Sequence, residues 1–527
     1  MDNATPWQRV RSLINRISIN VHTPVLIVGI VGYIYIPIII FVSGFAKLYW
    51  AIPTLIIIGI SLALLLKDII AKEKEKEPHV RINVLTLILV IGIMITLCVL
   101  LGWGGFYPQA GDWYKHNAVL RDLSFNSWPV YYELKDRCML TYYLGQYLLP
   151  ALVGKLAQSF EVANMCMMIW GIIGLLFVYL LLIRIVRADT FGKQLVTLFI
   201  LFFFCGALVL TQTVLSGIFG DFMYSLGSNH WVLVKSIMLQ YRSNMVMLRW
   251  VFPQCVVPWL VCMIFLIYRK ECRHYVTFIL PVILYGSFSF AALIVMALVE
   301  AIYQLVKKQI RIKELFSFEN VGLALSLGSI LFFYFLGNLQ VDKPVSSSFR
   351  WQTYSGKNII VYIIFCIFMF GIYAFCVFKE KKHDIQWYVC VGILLFLPWC
   401  RMGLCNDIVM SGSIPSQFIL MIFCIQLLFN KDDAYADDLP TCRFLWIRKT
   451  LVVVIMIIGL WYPFLEIREN VRLNWPGSEL ADGYYTMEWF TDREDTNVTE
   501  DLRYNYYTYD LEGKIFYEYI AAKKDAK

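Results

Sequence analysis

Charge is what this chain has least of. Only 16% of its 527 residues are Asp, Glu, Lys or Arg, where a soluble domain carries roughly a quarter, and that shortfall excludes an ordinary water-solvated globule. Several short signatures are missing too. None of the 14 cysteines falls in a C-x-x-C or C-x-x-C-H spacing, which excludes a zinc ribbon and a haem attachment. Most of them, such as Cys98, Cys166, Cys205, Cys366 and Cys424, lie in apolar runs and read as small buried hydrophobes. Cys400 and Cys405 flank a loop at a spacing that permits a bridge without demanding one. There is no H-E-x-x-H and no dense carboxylate cluster, so no metal or other cofactor is required, although a divalent ion stays compatible. No motif points to nucleic acid, and the formal charge of +8 reads instead as loops beside anionic headgroups. No cleavable leader is expected, because MDNATPWQRVRSLINR is polar and basic for too long before the first apolar run, which reads as a retained span.

What the chain has in abundance is apolar sequence, 59% of all residues, arranged in blocks. That pattern predicts an all-α polytopic membrane protein. Apolar runs place spans at 24–44, 50–66, 83–102, 165–183, 195–216, 252–268, 275–288, 290–306, 320–338, 358–378, 386–399, 415–430 and 449–465, about thirteen transmembrane helices. The connections RIVRADTFGK, RKECRH, KKQIRIK, KEKKHD and RFLWIRK are strongly basic and are assigned to the cytoplasm, whereas GFAKLYW and RMGLCNDIVMSGS hold one basic residue each. The N-terminus is therefore expected inside. A transmembrane domain over 1–465 then leaves 466–527, a Tyr-rich segment, on the extracytoplasmic side. The polar residues gather there as well, in a large first outward loop at 103–164 and a second at 217–251. A transporter tends to place its polar groups at mid-membrane, so this asymmetry is the strongest functional clue.

In the first loop, DWYKHNAVLRDL at 112–123 can form an interfacial helix. Asp112, Lys115 and His116 then share one face by i, i+3 and i+4 spacing, and Asp122 falls about 80° away. Trp128-Pro129 stops the helix. Two roles stay open for Asp112: a base that takes a proton from an incoming hydroxyl, or a helix N-cap paired with Lys115 or His116. The second loop holds Asp221, His230, Lys235, Arg242 and Arg249 among aromatics. Arg forks and Lys ammoniums bind phosphate oxygens, but the same residues also anchor at headgroups. Arg242 and Arg249 share a face if LQYRSNMVMLRW is helical. Arg401 and Asp407 carry the same ambiguity, and Glu300 near a span end is expected to snorkel.

The stretches DWYKHNAVLRDL, SWPVYY and TYYLGQYLLPALVGKL within 112–156, with NDIVMSGSIPSQFIL at 406–420, resemble the GT-C class of integral-membrane glycosyltransferases. The closer resemblance is to a poorly characterised bacterial set of GT-C-like membrane proteins. Ser411 stands where those relatives carry Arg, which weakens a phosphate role there. The chain also has two spans before the one leading into the Asp-bearing loop, so the correspondence is one of loop and not of span number. The resemblance implies a GT-C-like fold in a bacterial plasma membrane. It implies Asp112 as the catalytic carboxylate with Asp122 or His116 assisting, and a polyprenyl-phosphate-linked sugar as donor. A glycan or lipid would be the acceptor, with Lys115, Lys235, Arg242, Arg249 or Arg401 meeting the phosphate. Three other readings compete: a polysaccharide polymerase or ligase acting on polyprenyl diphosphate, a non-enzymatic transporter or flippase, and a non-catalytic assembly protein whose outer loops bind partners.

Overall fold

The computed structural model describes residues 18–74, 79–107, 109, 111–134, 137–219, 231–234, 237–339, 348–403, 406–430, 439–473, 486–492 and 505–522. They form an all-α polytopic membrane protein with a few short β-ribbons. Seven helices are long and apolar enough to cross a bilayer: Thr23–Phe45, Leu48–Glu73, Phe160–Ile185, Ser287–Val306, Asn358–Lys381, Asp407–Phe429 and Phe444–Arg472. Three further pairs are bent at a break, and three shorter apolar helices cover Val84–Leu100, Cys272–Leu284 and Ile385–Trp399. By length and composition these give seven spans, or ten if each bent pair is one, among the described residues.

The bundle is layered around one helix. Asp407–Phe429 has 94% of its apolar window buried, against 28% for Leu48–Glu73, so the first is the hub and the second faces lipid. Lipid tails are as apolar as Leu, so helices here associate through close packing and interhelical bonds, not through release of water. The hub sequence suits that: Ser411, Gly412, Ser413 and Ser416 are all buried and let neighbours approach. Against it pack the helices Ser287–Val306, Ile385–Phe396, Val256–Tyr268 and Ile372–Lys381.

The two ends of the bundle differ in kind. At one, the basic connections are tied together by ion pairs: Arg184 to Glu73 at 2.7 Å, Arg269 to Asp384 at 2.6 Å, and Arg273 to Glu319 at 3.1 Å. Arg448 reaches Glu380 there as well, at 2.5 and 2.7 Å. Glu300 does not snorkel as expected. It faces the protein interior, fully buried, and accepts from the side-chain amides of Gln304 and Gln386 at 2.5 and 2.7 Å.

The other end carries the folded parts of the long loops. The strands Tyr131–Glu133 and Arg137–Leu140 pair antiparallel, and Tyr507–Thr508 adds to them as a third strand. The late segment also bridges Ala521 to Ala46. The expected boundary at 465/466 falls inside the helix Trp461–Leu473. Glu466 of that helix is buried and pairs with Arg249, so this part of the chain is built into the bundle.

Arg249 and Glu466 are a sealed pair, 5% and 3% exposed in their side chains, and removing one partner of such a pair strands a charge at a cost of about 3–5 kcal/mol. Arg249→Met should lower the unfolding stability of the detergent-solubilised protein by that amount. The double variant Arg249→Met/Glu466→Met should recover most of it. Thermal unfolding followed by loss of the monodisperse elution peak checks both.

Candidate functional site

Gly111 starts the site. Its φ of 59° lies in the left-handed region, and a Cβ there would stand 2.8 Å from the Trp250 ring; glycine meets both demands. The chain turns at this point into the helix Asp112–Phe125, with Gly111 as the cap residue and Asp112 in the first turn. Asp112 therefore makes no N-cap bond. Its carboxylate sits where the helix dipole favours a negative charge. It pairs with Lys115 one turn on at 3.6 Å, and its side chain keeps 44% of its surface accessible while that of Lys115 keeps 6%.

Four other segments meet at this turn. Tyr142 follows the strand Arg137–Leu140, and Tyr506 precedes the strand that pairs with it, which brings their rings to 5.0 Å. Arg242 comes from the second loop and Asp407 from the start of the hub helix. Asp112 lies within electrostatic range of Lys115, His116 and Arg242, and Asp407 within range of Arg242, Lys115 and Asp112. Burial pushes the Asp112 carboxyl up, but Lys115, His116 and Arg242 together outweigh it and hold the group below its ordinary value. For Lys115 burial works against the charge, yet Asp112 raises it well above the usual lysine value. Both groups are charged at neutral pH.

The charged groups of this cluster keep bonding capacity open, as buried atoms elsewhere such as Arg249 Nε and Glu319 Oε2 also do. Arg242 donates from Nε to Gln240 at 3.0 Å, and among the described residues nothing bonds its two terminal nitrogens. Lys115 has Asp112 as its ion-pair partner and further N–H donors to spare. No described residue hydrogen-bonds or ion-pairs the Asp407 carboxylate. Buried and half-buried polar groups are normally satisfied within the fold.

The other expected site residues are occupied. His116 is fully buried, with Nε2 on the Trp250 carbonyl at 3.0 Å and Nδ1 against the Tyr147 hydroxyl at 2.5 Å. A carbonyl only accepts, so Nε2 carries the proton and Nδ1 accepts from Tyr147. Burial, reinforced by Lys115, pushes His116 down to about 3, and the ring is neutral. Asp122 lies about 15 Å along the helix from Asp112, is 2% exposed, and accepts on one oxygen from both the Tyr132 hydroxyl (2.8 Å) and the Met487 backbone N–H (2.9 Å). Arg249 does not share a face with Arg242. Ser243 caps a helix that begins only at Asn244, so Arg242 precedes the helix and Arg249 turns toward Glu466. Arg401 lies in a ribbon opposite Arg350. Lys235, Asp221 and His230 fall outside the described residues. Among the described residues, no group of three His, Cys, Asp or Glu side chains is placed to hold a metal ion.

Tyr142 lies in the stretch TYYLGQY marked by the resemblance, whereas Tyr506 and Gln254 had no separate sequence signal, because only the tertiary fold brings them here. Ser411, at the position noted for its departure from Arg, is 1% exposed and donates to Gln254 at 2.8 Å; Gln254 lies within electrostatic range of the Tyr142 hydroxyl. No protein-family model, no curated protein and no solved structure matches this chain.

The Asp122 contacts imply a clamp that ties the site helix to the late segment. Asp122→Asn keeps an acceptor oxygen and should unfold near the wild-type temperature. Asp122→Ala leaves two donors unmet and should cost about 1–3 kcal/mol, with faster protease cleavage around residue 487 as the local readout.

Proposed function

We propose that this protein is a GT-C-type inverting glycosyltransferase that moves a sugar from a polyprenyl-phosphate carrier to a hydroxyl of a glycan or lipid acceptor. The observation that carries the reading is the convergence of Asp112, Lys115 and Arg242, charged groups with bonding capacity unspent, at the end of the bundle away from the basic connections. The arrangement suits that chemistry. The acceptor oxygen attacks the anomeric carbon while its proton passes to the Asp112 carboxylate. The bond from that carbon to the phosphate oxygen breaks, its electron pair stays on the phosphate, and the growing charge meets Arg242 and Lys115. Attack opposite the leaving group inverts the anomeric centre.

The same reading sets the topology. It takes the three shorter apolar helices as spans beside the seven long helices and the three bent pairs, thirteen in all. The basic end then lies in the cytoplasm and the site faces outward in a bacterial plasma membrane, where a greasy carrier leaves its phosphate at headgroup level. His116, Asp122 and Arg249, bonded within the fold, act as positioning residues. Asp112 carries the proton transfer alone.

Transfer of labelled hexose from a synthetic polyprenyl-phosphate donor, by the full-length protein in nanodiscs, tests the proposal. Asp112→Asn should lower kcat by about 10²–10⁴-fold at nearly unchanged KM. A polymerase or ligase working through its arginines would keep most of its rate, and that result would sink the Asp112 reading.

The pH dependence gives an independent check. The rate falls on the acid side where Asp112 protonates, and that limb lies below the ordinary carboxylate range while Lys115 stands beside it. Lys115→Met removes the strongest attractive influence and leaves burial, which favours the neutral acid. The acid limb of kcat should therefore move to higher pH; a shift to lower pH would contradict the assigned pairing.

A further inference from the structure

Asp407 has no role in the chemistry above, yet it is among the most firmly placed charged groups at the site. It opens the hub helix, the most enclosed in the bundle. The residue before it, Asn406, adopts the left-handed conformation at φ 57°. The Asn406 side chain locks the turn: its amide donates to the Met238 and Cys400 carbonyls at 2.7 and 3.3 Å, and its oxygen accepts from the Met402 backbone N–H at 3.2 Å. The Asp407 carboxylate lies directly over Gly403, where a Cβ would come within 2.3 Å of its Oδ2. Among the described residues, nothing bonds either oxygen. The fold thus fixes this carboxylate through its backbone frame and leaves its acceptor capacity open, whereas Asp122 spends one oxygen on two protein donors.

A carboxylate of this kind can accept two neighbouring hydroxyls at once, one per oxygen. A phosphate would be drawn to Arg242 and Lys115 and repelled by Asp407, so the uncharged, hydroxyl-bearing part of a ligand turns toward Asp407. Tyr142, Tyr143 and Tyr506 lie within electrostatic range of the carboxylate, with the Tyr142 ring 5.0 Å from each of the other two. We propose that Asp407 is the specificity-determining residue, accepting hydrogen bonds from a vicinal diol of the transferred sugar, so that the donor is a pyranose with two adjacent free hydroxyls. This rests on the transferase reading above and specifies its substrate.

The test uses full-length protein in nanodiscs, with polyprenyl-phosphate hexoses of gluco, galacto and manno configuration and their monodeoxy counterparts as donors. Wild type should discriminate at least tenfold in kcat/KM against loss of either hydroxyl of one adjacent pair, a result that depends on no variant. Asp407→Asn should raise KM for the parent sugar about ten- to a hundredfold, leave kcat within about threefold, and erase that discrimination. Gly403→Ala, which displaces the carboxylate without removing it, should do the same to a lesser degree. A variant with lowered kcat, unchanged KM and intact discrimination would overturn the assignment. Donor-induced thermal stabilisation separates the two readings. If wild type transfers nothing but is stabilised by a hexosyl lipid that fails to stabilise Asp407→Asn, the transferase reading falls and the diol site stands. If no hexosyl lipid stabilises wild type or is turned over, the diol site falls as well.

Discussion

In a medium without water, a charge is tolerated where a partner has been built beside it, and that rule organises this molecule. Arg249 has Glu466, Arg184 has Glu73, and Arg448 has Glu380. Glu300, deep among helices, has two glutamine amides. Such pairs are weak sources of net stability, because desolvation offsets most of the attraction. Their effect is to remove every alternative packing in which a charge would stand alone. Against that background an unsatisfied group is informative. Arg242, Lys115, Asp112 and Asp407 come together with capacity to spare, from three separated parts of the chain.

This contrast also explains how far the sequence could be read. Apolar runs located the helices because bilayer thickness sets a length that composition reveals directly. The face shared by Asp112, Lys115 and His116 was legible for a similar reason: helical spacing is local. Arg242 and Arg249 misled at the same level. Seven residues apart suggests a shared face, but Ser243, a residue that prefers to cap, begins the helix between them. Serine before an apolar run was the signal that could have separated the two. Glu466 was hidden by the assumption that the chain leaves the bundle at 465. Nothing local marked Tyr506, which reaches the site only because a short strand pairs with residues more than three hundred positions earlier.

Residue type alone could not separate working groups from structural ones. Asp112 and Asp122 are the same amino acid on the same helix. One is open at its first turn, and the other is shut between a tyrosine hydroxyl and a backbone amide. His116 and Lys115 are neighbours in sequence, yet the imidazole is sealed by two bonds while the ammonium keeps donors free. The difference lies in tertiary partners.

The strand Tyr507–Thr508 closes a sheet begun by Tyr131–Glu133 and Arg137–Leu140, and Tyr506 enters the charged cluster as it does so. Translation runs in one direction, so every apolar helix described here is threaded into the lipid before that strand emerges from the ribosome. A nascent chain thus carries Asp112, Arg242 and Asp407 before it carries the strand that brings Tyr506 beside them. The cluster is therefore completed by tertiary pairing that follows those helices, not by their insertion alone.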